Sequence, residues 1–361
     1  NLKPLPATHE IADKCIECGF CEPVCPSRDL SFTPRQRIAG RREISRRLDS
    51  EGTTRDVKRF ATRYQYPGMD TCAADGLCAT RCPVGIDTGK MVKALRDESH
   101  GPLAQKIAGQ VGSHFSQFAR SIGPVLNVVD GVHKHTSTAF MDTASRFARK
   151  ATLNNLPLWN REMPTGSDKI KNRPINLSNP LKVVYFPSCA SRAMGGPSRH
   201  DEERTDLPDK TKSLLKKSGY EVIYPEKFDS LCCGQAFESK GFLEEADRKS
   251  AELSHRLLAA SKNGEIPVLC DTSPCLQRMK LTVDERLKLY EPIEFVLQFL
   301  MDRLKFSRKE TTIAVHPTCS TRKMGLEGRL LELAERCATR VVWPEEVFCC
   351  GFDGDRGFNF P

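Results

Sequence analysis

A run of four closely spaced cysteines near the start of the chain constrains its structure more than any other feature. The run reads C-x2-C-x2-C-x3-C-P and covers residues 15–26. Cysteines at steps of three bring their thiolates to one side of a tight loop, where they can bind three irons of one [4Fe–4S] cube. Pro26 ends the loop because proline cannot continue a hydrogen-bonded turn. Buried free thiols and a zinc knuckle are the alternatives, and the trailing proline favours the cluster.

A second copy of the motif follows at residues 72–83, with Asp75 in place of its second cysteine. In proteins with two such runs, the fourth cysteine of each run binds the other cluster. A carboxylate is a harder ligand than a thiolate, so the second cluster is expected either with Asp75 on its fourth iron or as a [3Fe–4S] form. The alternative for Asp75 is a surface loop acid beside Gly76. The predicted ligands are Cys15, Cys18, Cys21 and Cys82 for cluster 1, and Cys25, Cys72, Asp75 and Cys78 for cluster 2.

The composition supports thiolate ligands over disulfides. Sixteen cysteines fall in grouped motifs with no secretory signal before them, which indicates a reducing compartment. Apolar runs are too short for a transmembrane helix, and the net charge is +9. We therefore expect a cytoplasmic protein, with any membrane association peripheral at the inner face or made through a partner. The chain begins at Asn1 and stops at Pro361 just after a cysteine motif, so we expect a piece of a longer protein cut at both ends.

Helical patterns separate and follow the two motifs. Residues 34–66 predict two helices broken at Gly52, with ten arginines between Arg28 and Arg63 that form either a solvated face or a docking face for an acidic partner. No aromatic residues interleave with these charges, which argues against nucleic acid. Residues 91–151 predict helices punctuated at 101–102 and 123–124, with His133 and His135 on a polar surface, and residues 152–180 predict a linker.

Strands and helices alternate after the linker. The predicted strands are 182–186, 221–224, 267–269, 312–315 and 340–343, and the predicted helices are 210–218, 243–260, 293–304 and 326–337. This order indicates an α/β arrangement with parallel pairing.

The alternating part contains an internal repeat. Residues 186–195 match residues 316–325, and each copy continues through a helix and a strand to a Cys-Cys-Gly triplet, at 232–234 and 349–351. Both copies place a cysteine after the first strand, at the edge where ligand sites collect in open α/β sheets. The glycine lets backbone approach a bulky inorganic ligand. The candidate ligands are Cys189, Cys232, Cys233, Cys270 and Cys275 in the first unit, and Cys319, Cys349 and Cys350 in the second.

This repeat resembles the cysteine-rich CCG domain of heterodisulfide reductase and of the iron–sulfur subunits of glycolate oxidase and anaerobic glycerol-3-phosphate dehydrogenase. In that family each unit reads C…CCG…C-x2-C and can hold an iron–sulfur cluster. The first unit departs from the pattern, because Thr272 stands where a cysteine is expected and Cys270 comes two residues early. The second unit stops before its C-x2-C would arrive.

Residues 13–21, 33–37 and 72–83 also resemble the C-terminal half of bacterial FAD-linked D-lactate (D-2-hydroxyacid) dehydrogenases. The resemblance implies an α+β multidomain chain, in which an α-helical ferredoxin module is followed by two repeated α/β CCG domains. The implied bounds are 1–100 for the ferredoxin module, 101–180 for a helical extension and linker, 181–305 for the first CCG domain and 306–361 for a truncated second one. It also implies FAD on a domain missing upstream, and transfer of electrons from that flavin through this piece to a quinone or cytochrome. No catalytic residue for the hydroxyacid is expected here.

Three other functions remain open from the sequence. The chain could be a separate iron–sulfur subunit of glycolate oxidase or of anaerobic glycerol-3-phosphate dehydrogenase, which the reading frame upstream of Asn1 would distinguish. It could be a thiol-based redox sensor or reductase, whose CCG cysteines make and break disulfides. A structural zinc protein is the last alternative, and it predicts a colourless preparation.

Overall fold

The computed structural model describes residues 6–152, 156, 158–159, 163–170, 178–196, 205–344 and 350. The helices are α1 (Pro34–Glu51), α2 (Arg55–Tyr64), α3 (Leu77–Arg81), α4 (Thr88–Ser99), α5 (Pro102–Ser113), α6 (Phe115–His135), α7 (Thr138–Ala151), α8 (Cys189–Met194), α9 (Leu207–Lys217), α10 (Gln235–Lys240), α11 (Leu243–Ala260), α12 (Ser273–Thr282), α13 (Pro292–Phe295), α14 (Cys319–Lys323) and α15 (Glu327–Cys337). The strands are β1 (Lys182–Phe186), β2 (Glu221–Ile223), β3 (Val268–Cys270), β4 (Leu289–Tyr290), β5 (Lys309–Ala314) and β6 (Ala338–Val342). The chain is therefore helical at its N-terminal end and mixed helix and sheet after β1.

The N-terminal module is built from α1 to α4 around the two cysteine loops. Helix α1 ends at Gly52, whose φ of 63° lies in the left-handed region that glycine enters freely, and α2 starts three residues later. The predicted pair of helices broken at Gly52 is confirmed. The core of this module joins apolar residues of both loops and of all the longer helices, including Ile38, Ile44, Met91, Val92 and Leu95.

Two of the arginines on α1 are buried, which corrects both sequence interpretations of this basic segment. Arg37 is 1% exposed and Arg42 is 3% exposed. Their positions share the apolar face of α1 with Ile38, and their guanidinium groups reach the cysteine loops instead of solvent. Other arginines of α1 form ion pairs near the surface, as Arg46 and Arg47 do with Glu43.

The start of α1 carries a complete capping box. The Gln36 backbone N–H donates to Thr33 Oγ1 at 3.4 Å, and the Thr33 N–H donates to Gln36 Oε1 at 2.9 Å. Thr33 Oγ1 also donates to Glu22 Oε1 at 2.8 Å, which ties the helix to the first cysteine loop. These bonds satisfy backbone donors that a helix start leaves without partners.

Replacing Thr33 with alanine is expected to lower the free energy of unfolding by about 1–2 kcal/mol, because the cap and the bond to Glu22 are lost together. Urea unfolding of the purified protein measures the change. Thr62→Ala is the matched control, since its exposed hydroxyl only donates back to the Lys58 carbonyl within α2. Equal losses in the two variants would contradict the capping role.

Helices α5 to α7 follow, and two details differ from the sequence interpretation. Gly101 and Pro102 begin α5 as expected, but Pro124 lies inside α6, which continues past it with the proline exposed. His133 is buried rather than part of a polar surface, and Trp159 Nε1 donates to its Nδ1 at 3.1 Å. His135 is exposed as predicted. Of the predicted linker, the described residues 163–170 form no helix or strand.

The central sheet has four parallel strands in the order β2-β1-β3-β4. Val184 pairs with Val268 and Phe186 with Cys270, so the carboxyl ends of β1 and β3 finish side by side. Apolar clusters cover both faces, one centred on α11 and α12 and the other on α9 and α13. Burial on both faces is the reason that these strands read as continuous apolar runs. The predicted α/β arrangement with parallel pairing is confirmed here.

The last part of the described chain forms a separate parallel pair, β5 with β6. Helix α14 lies between these strands in sequence and packs on the central part of the molecule. The Ser273 hydroxyl lies 2.9 Å from Thr318 Oγ1 and 2.8 Å from Ser320 Oγ, which joins α12 to the start of α14. On the other side, Lys323 Nζ lies 3.5 Å from Asp87 Oδ2 in the N-terminal module. Within the described residues, none of the helices has the length and apolar character needed to cross a lipid bilayer.

Candidate iron–sulfur sites

The four cysteines predicted for cluster 1 line one cavity. Cys15, Cys18 and Cys21 come from the first loop, and Cys82 from the residue after α3. The cavity opens to solvent. The backbone turns into the left-handed region at Glu17 (φ 61°) and Gly19 (φ 83°), which curls the loop around this space. The structure therefore brings together the ligand set predicted for cluster 1, in which Cys82 of the second motif takes the place of Cys25 of the first.

The electrostatics of this cavity reflect the closeness of its thiols. Burial is the main cause that raises the pKa of the Cys21 thiol to about 11, and the neighbouring thiols of Cys15 and Cys82 act in the same direction, against backbone N–H groups that lower it. Because neighbouring thiolates repel one another, these cysteines can all be deprotonated at once only when cations lie between them. Metal binding here must displace protons, as it does wherever cysteines become ligands.

The cysteines predicted for cluster 2 lie deeper. Cys25, Cys72 and Cys78 are all buried, and burial raises the pKa of the Cys72 and Cys78 thiols, that of Cys78 to about 12. After burial, the neighbouring Asp87, Cys72 and Asp75 also raise the pKa of the Cys78 thiol. Asp75 is half-buried, and its Oδ1 accepts from the Leu77 N–H at 3.0 Å, beside the left-handed turn at Gly76. Ligation of iron by Asp75 stays a prediction.

Arg37 connects the two loops of this second group. Its Nη1 lies 3.7 Å from Cys25 Sγ, and its Nη2 donates to Ser27 Oγ at 2.8 Å and to Thr71 Oγ1 at 3.1 Å. Its charge also lowers the pKa of the Cys72 thiol, against burial. Across the described residues, no carboxylate forms an ion pair with this buried guanidinium.

A buried positive charge without an acidic partner is costly unless another anion lies close. The thiolates of Cys25 and Cys72 are the groups in position to provide that negative charge. The donor set around Arg37 therefore fits an anionic iron–sulfur cluster. When bound, such a cluster takes up and releases one electron at a time.

Five cysteines converge at the carboxyl edge of the central sheet. Cys189 begins α8 after β1, Cys270 ends β3, Cys275 lies in α12, and Cys232 and Cys233 come from the loop before α10. Neighbouring thiols in this group shift one another's pKa, Cys189 with Cys232, Cys232 with Cys233, and Cys233 with Cys275. All except Cys189 are buried. We call this group, Cys189, Cys232, Cys233, Cys270 and Cys275, the CCG site.

The thiols of the CCG site hold their protons strongly. The hydrogen bond with Cys233 lowers the pKa of the Cys275 thiol, but burial and the neighbouring Cys270 raise it to about 12. Burial also raises the pKa of Cys270 well above its usual range, and Asp271 adds to the effect. Cys270 thus belongs to the group although it comes two residues early in the sequence. Thr272, at the expected cysteine position, donates to Ser188 Oγ at 2.8 Å.

Gly234 shapes the loop that carries the paired cysteines. Its φ is 83°, and its N–H donates to Cys232 Sγ at 3.3 Å. A Cβ at this position would collide with the Ala246 carbonyl of α11. The close approach that this glycine permits is to a neighbouring helix and to a thiol. The expected approach of backbone to an inorganic ligand stays a prediction.

Buried arginines are the functional residues that the sequence interpretation missed. Arg42 Nη2 donates to the Cys15 carbonyl at 2.9 Å, Arg96 Nη2 to the Cys72 carbonyl at 3.0 Å, and Arg278 Nε to the Cys233 carbonyl at 2.9 Å. Each of the three is less than a tenth exposed. Their spacing along each helix could have revealed their burial, because each lies on the same helix face as buried apolar residues.

The second CCG unit is described only in part. Cys319 begins α14 and is half-buried, Cys350 is exposed, and Cys349 lies outside the described residues. The second site therefore stays a prediction. Among the residues that the structure describes, no three His, Cys, Asp or Glu side chains lie together closely enough to hold a single metal ion.

Comparisons with known proteins agree with the two cysteine-rich regions. Residues 11–86 match the family model of the 4Fe-4S dicluster domain, and residues 183–280 match that of the cysteine-rich CCG domain. One subunit of dihydromethanophenazine:CoB–CoM heterodisulfide reductase is 22% identical in Methanosarcina acetivorans and 23% in Methanosarcina barkeri, over 85% of this chain and 68% of each relative. A probable glycolate oxidase iron–sulfur subunit of Bacillus subtilis is 25% identical over 61% of this chain and 48% of its own length. No solved structure matches the chain significantly.

These matches confirm the predicted dicluster region and first CCG region, and they support a role in iron–sulfur electron transfer. The similar proteins are subunits of redox enzymes.

Proposed function

We propose that this chain is the electron-transfer part of an FAD-dependent D-2-hydroxyacid dehydrogenase, with D-lactate as its substrate. The observation that carries the electron-transfer role is the cavity lined by Cys15, Cys18, Cys21 and Cys82, because it assembles one complete ligand set from two distant motifs. The substrate class rests on the resemblance of residues 13–21, 33–37 and 72–83 to D-lactate dehydrogenases, including Asp75.

The chain's own residues hold and insulate the electron carriers. Flavin takes two electrons from a hydroxyacid as a hydride and passes them on singly, which iron–sulfur clusters can accept. Cys18 is exposed and the cluster 1 cavity is open, so the first loop is suited to receive electrons from a flavin domain. The cysteines proposed for cluster 2 are buried, as are those of the CCG site except Cys189, so these thiols have little contact with water.

The proposed partners follow from the order in which electrons would pass, from cluster 1 to cluster 2 and then to the CCG site. A flavin domain, on the same chain or on a separate subunit, delivers electrons to cluster 1. A quinone or a cytochrome removes them from the CCG end of the chain. The second CCG unit, with Cys319, Cys349 and Cys350, is proposed as a further site near that end.

A second candidate is an iron–sulfur subunit of glycolate oxidase. The similarity to the Bacillus subtilis protein favours it, since the alignment includes most of this chain. The ligand geometry is common to both candidates, so only the reductant distinguishes them.

The test uses the protein purified without oxygen from its own cells, with whatever flavoprotein accompanies it. D-lactate, L-lactate, glycolate and glycerol 3-phosphate are added separately, and the EPR spectrum is recorded after each. The proposal expects reduced-cluster signals with D-lactate alone. Signals with glycolate or glycerol 3-phosphate instead would support the second candidate class, and a preparation without iron would refute both.

A further inference from the structure

The two buried cysteine groups meet across one helix pair. Helix α4 follows the cluster 2 loop, and α10 begins directly after the Cys-Cys-Gly triplet. Arg96 of α4 is buried between them. Its Nη2 donates to the carbonyls of Met69 and Cys72, each at 3.0 Å, and its Nη1 donates to the Ser239 carbonyl of α10 at 2.7 Å. One guanidinium therefore binds the backbone of a predicted cluster 2 ligand and the helix that extends from the CCG site.

A chain of charged groups runs beside this bridge. Lys93 Nζ lies 3.1 Å from Glu238 Oε1, and Glu238 forms a second ion pair with Arg278. Arg278 Nε in turn donates to the Cys233 carbonyl at 2.9 Å. The same helix pair thus reaches the peptide groups of Cys72 on one side and of Cys233 on the other.

The junction leaves no space for adjustment. At Gly241, where φ is 87°, an added Cβ would collide with Arg96 Cβ and lie 2.7 Å from the Asp97 nitrogen. His100 stacks on Phe242 with ring centroids 4.2 Å apart, and its Nε2 lies 2.8 Å from the Lys240 carbonyl. Close-packed interiors have low compressibility, so this packing holds the two modules at a set distance.

We propose that Arg96 is a positioning residue that fixes cluster 2 against the CCG site, so that single electrons pass directly between them. The inference rests on the proposed function, because it requires clusters at both places. Cys25, Cys72 and Cys78 would hold the cluster that donates the electron, and the CCG cysteines would hold the cluster that accepts it, one electron in each transfer. No covalent bond forms or breaks, and the flavin, or dithionite in the test, replaces the electron.

Only an arginine suits this position. Its planar group presents donors in a fixed fork, so it can bind carbonyls on opposite sides at once. Methionine fills a similar volume but donates nothing, so Arg96→Met keeps the packing and removes the bridge. The matched control is Arg41→Met, because Arg41 also contacts α4, through Glu98 at 3.9 Å, but touches neither a cysteine carbonyl nor α10.

The experiment uses the whole chain, prepared without oxygen, as wild type, Arg96→Met and Arg41→Met. Iron content is measured first. Each protein is then mixed with dithionite and frozen at intervals, and the EPR signals of the ferredoxin clusters and of the CCG site are followed separately. We expect unchanged iron in both variants and unchanged reduction of cluster 1, whose cysteines Arg96 does not contact. In Arg96→Met alone, the CCG signal should change more slowly by about 10- to 100-fold, the order by which small misplacements slow a transfer.

Gly241→Ala provides a second variant in case Arg96→Met loses iron. Its added Cβ would collide with Arg96 Cβ and the adjoining backbone, which forces α10 and α4 apart, and the same slowing is expected. A CCG signal that changes as fast in Arg96→Met or Gly241→Ala as in wild type would overturn the inference while leaving the proposed function intact. Equal slowing in Arg41→Met would also overturn it. A wild-type protein with no CCG signal at all would contradict the premise that both proposals share.

Discussion

Cys82→Ser is expected to remove cluster 1 and with it about four irons per chain. The reason is geometric, since Cys82 completes the cavity formed by Cys15, Cys18 and Cys21 although it lies in the other motif. A serine hydroxyl stays protonated at neutral pH and binds iron poorly. Iron and sulfide analysis of anaerobically purified protein, together with EPR after reduction, measures the loss. The signal of cluster 2 should persist.

Two further variants decide whether the assignment is correct. Cys337→Ser is the matched control, because this exposed cysteine at the end of α15 belongs to none of the candidate sites, and its iron content should equal that of wild type. Cys25→Ser should disturb cluster 2 instead, since Cys25 lies with Arg37 and not at the cluster 1 cavity. If Cys25→Ser removed cluster 1 and Cys82→Ser removed cluster 2, the assignment of each motif's fourth cysteine to the other cluster would be wrong.

Gly234→Ala is expected to lower the free energy of unfolding by about 3 kcal/mol or more. Two costs add, because the left-handed φ of 83° strains any residue with a Cβ and because that Cβ would collide with the Ala246 carbonyl. The obstacle is backbone of α11, so relief requires a helix to move. The loop that presents Cys232 and Cys233 should shift with it, and the CCG site should lose its metal.

Gly85→Ala separates the two costs. Gly85 has a similar φ of 69°, but a Cβ there meets nothing within 4 Å, so only the strain of about 1 kcal/mol is expected. Urea unfolding of both variants measures the difference. Equal destabilisation would mean that the contact with α11 relaxes freely, which would contradict the close packing around the CCG site.

The same arrangement occurs at all three cysteine groups. A buried arginine donates to a cysteine carbonyl at each, Arg42 at Cys15, Arg96 at Cys72 and Arg278 at Cys233. These bonds fix the loops before any metal arrives.

The local sequence was sufficient to predict those helices and strands whose formation depends on neighbouring residues alone. The predicted helix over 243–260 coincides with α11, and the predicted strand over 182–186 coincides with β1, because apolar periodicity and β-branched runs act over neighbouring residues. Three short helices were missed, because α8, α10 and α14 begin in or just after a cysteine motif and are too brief to show a helical period. The longer helix α12 was missed as well. In place of the helix expected over 293–304, the structure has the single turn of α13 followed by a π-helical segment, Val296–Leu300. Residues of both segments pack in the apolar cluster on one face of the sheet.

The spacing of the cysteines by itself indicated iron–sulfur chemistry, since the type of ligand and the short separation between ligands can be read directly from neighbouring residues. Tertiary structure alone decided the rest: that His133 is buried, and that Arg37, Arg42, Arg96 and Arg278 face inward. The physical reason is that burying a charge is unfavourable in isolation and becomes favourable only beside groups from distant parts of the chain, such as a cysteine carbonyl or thiolate. No local pattern contains those partners, so only the folded chain brings them together.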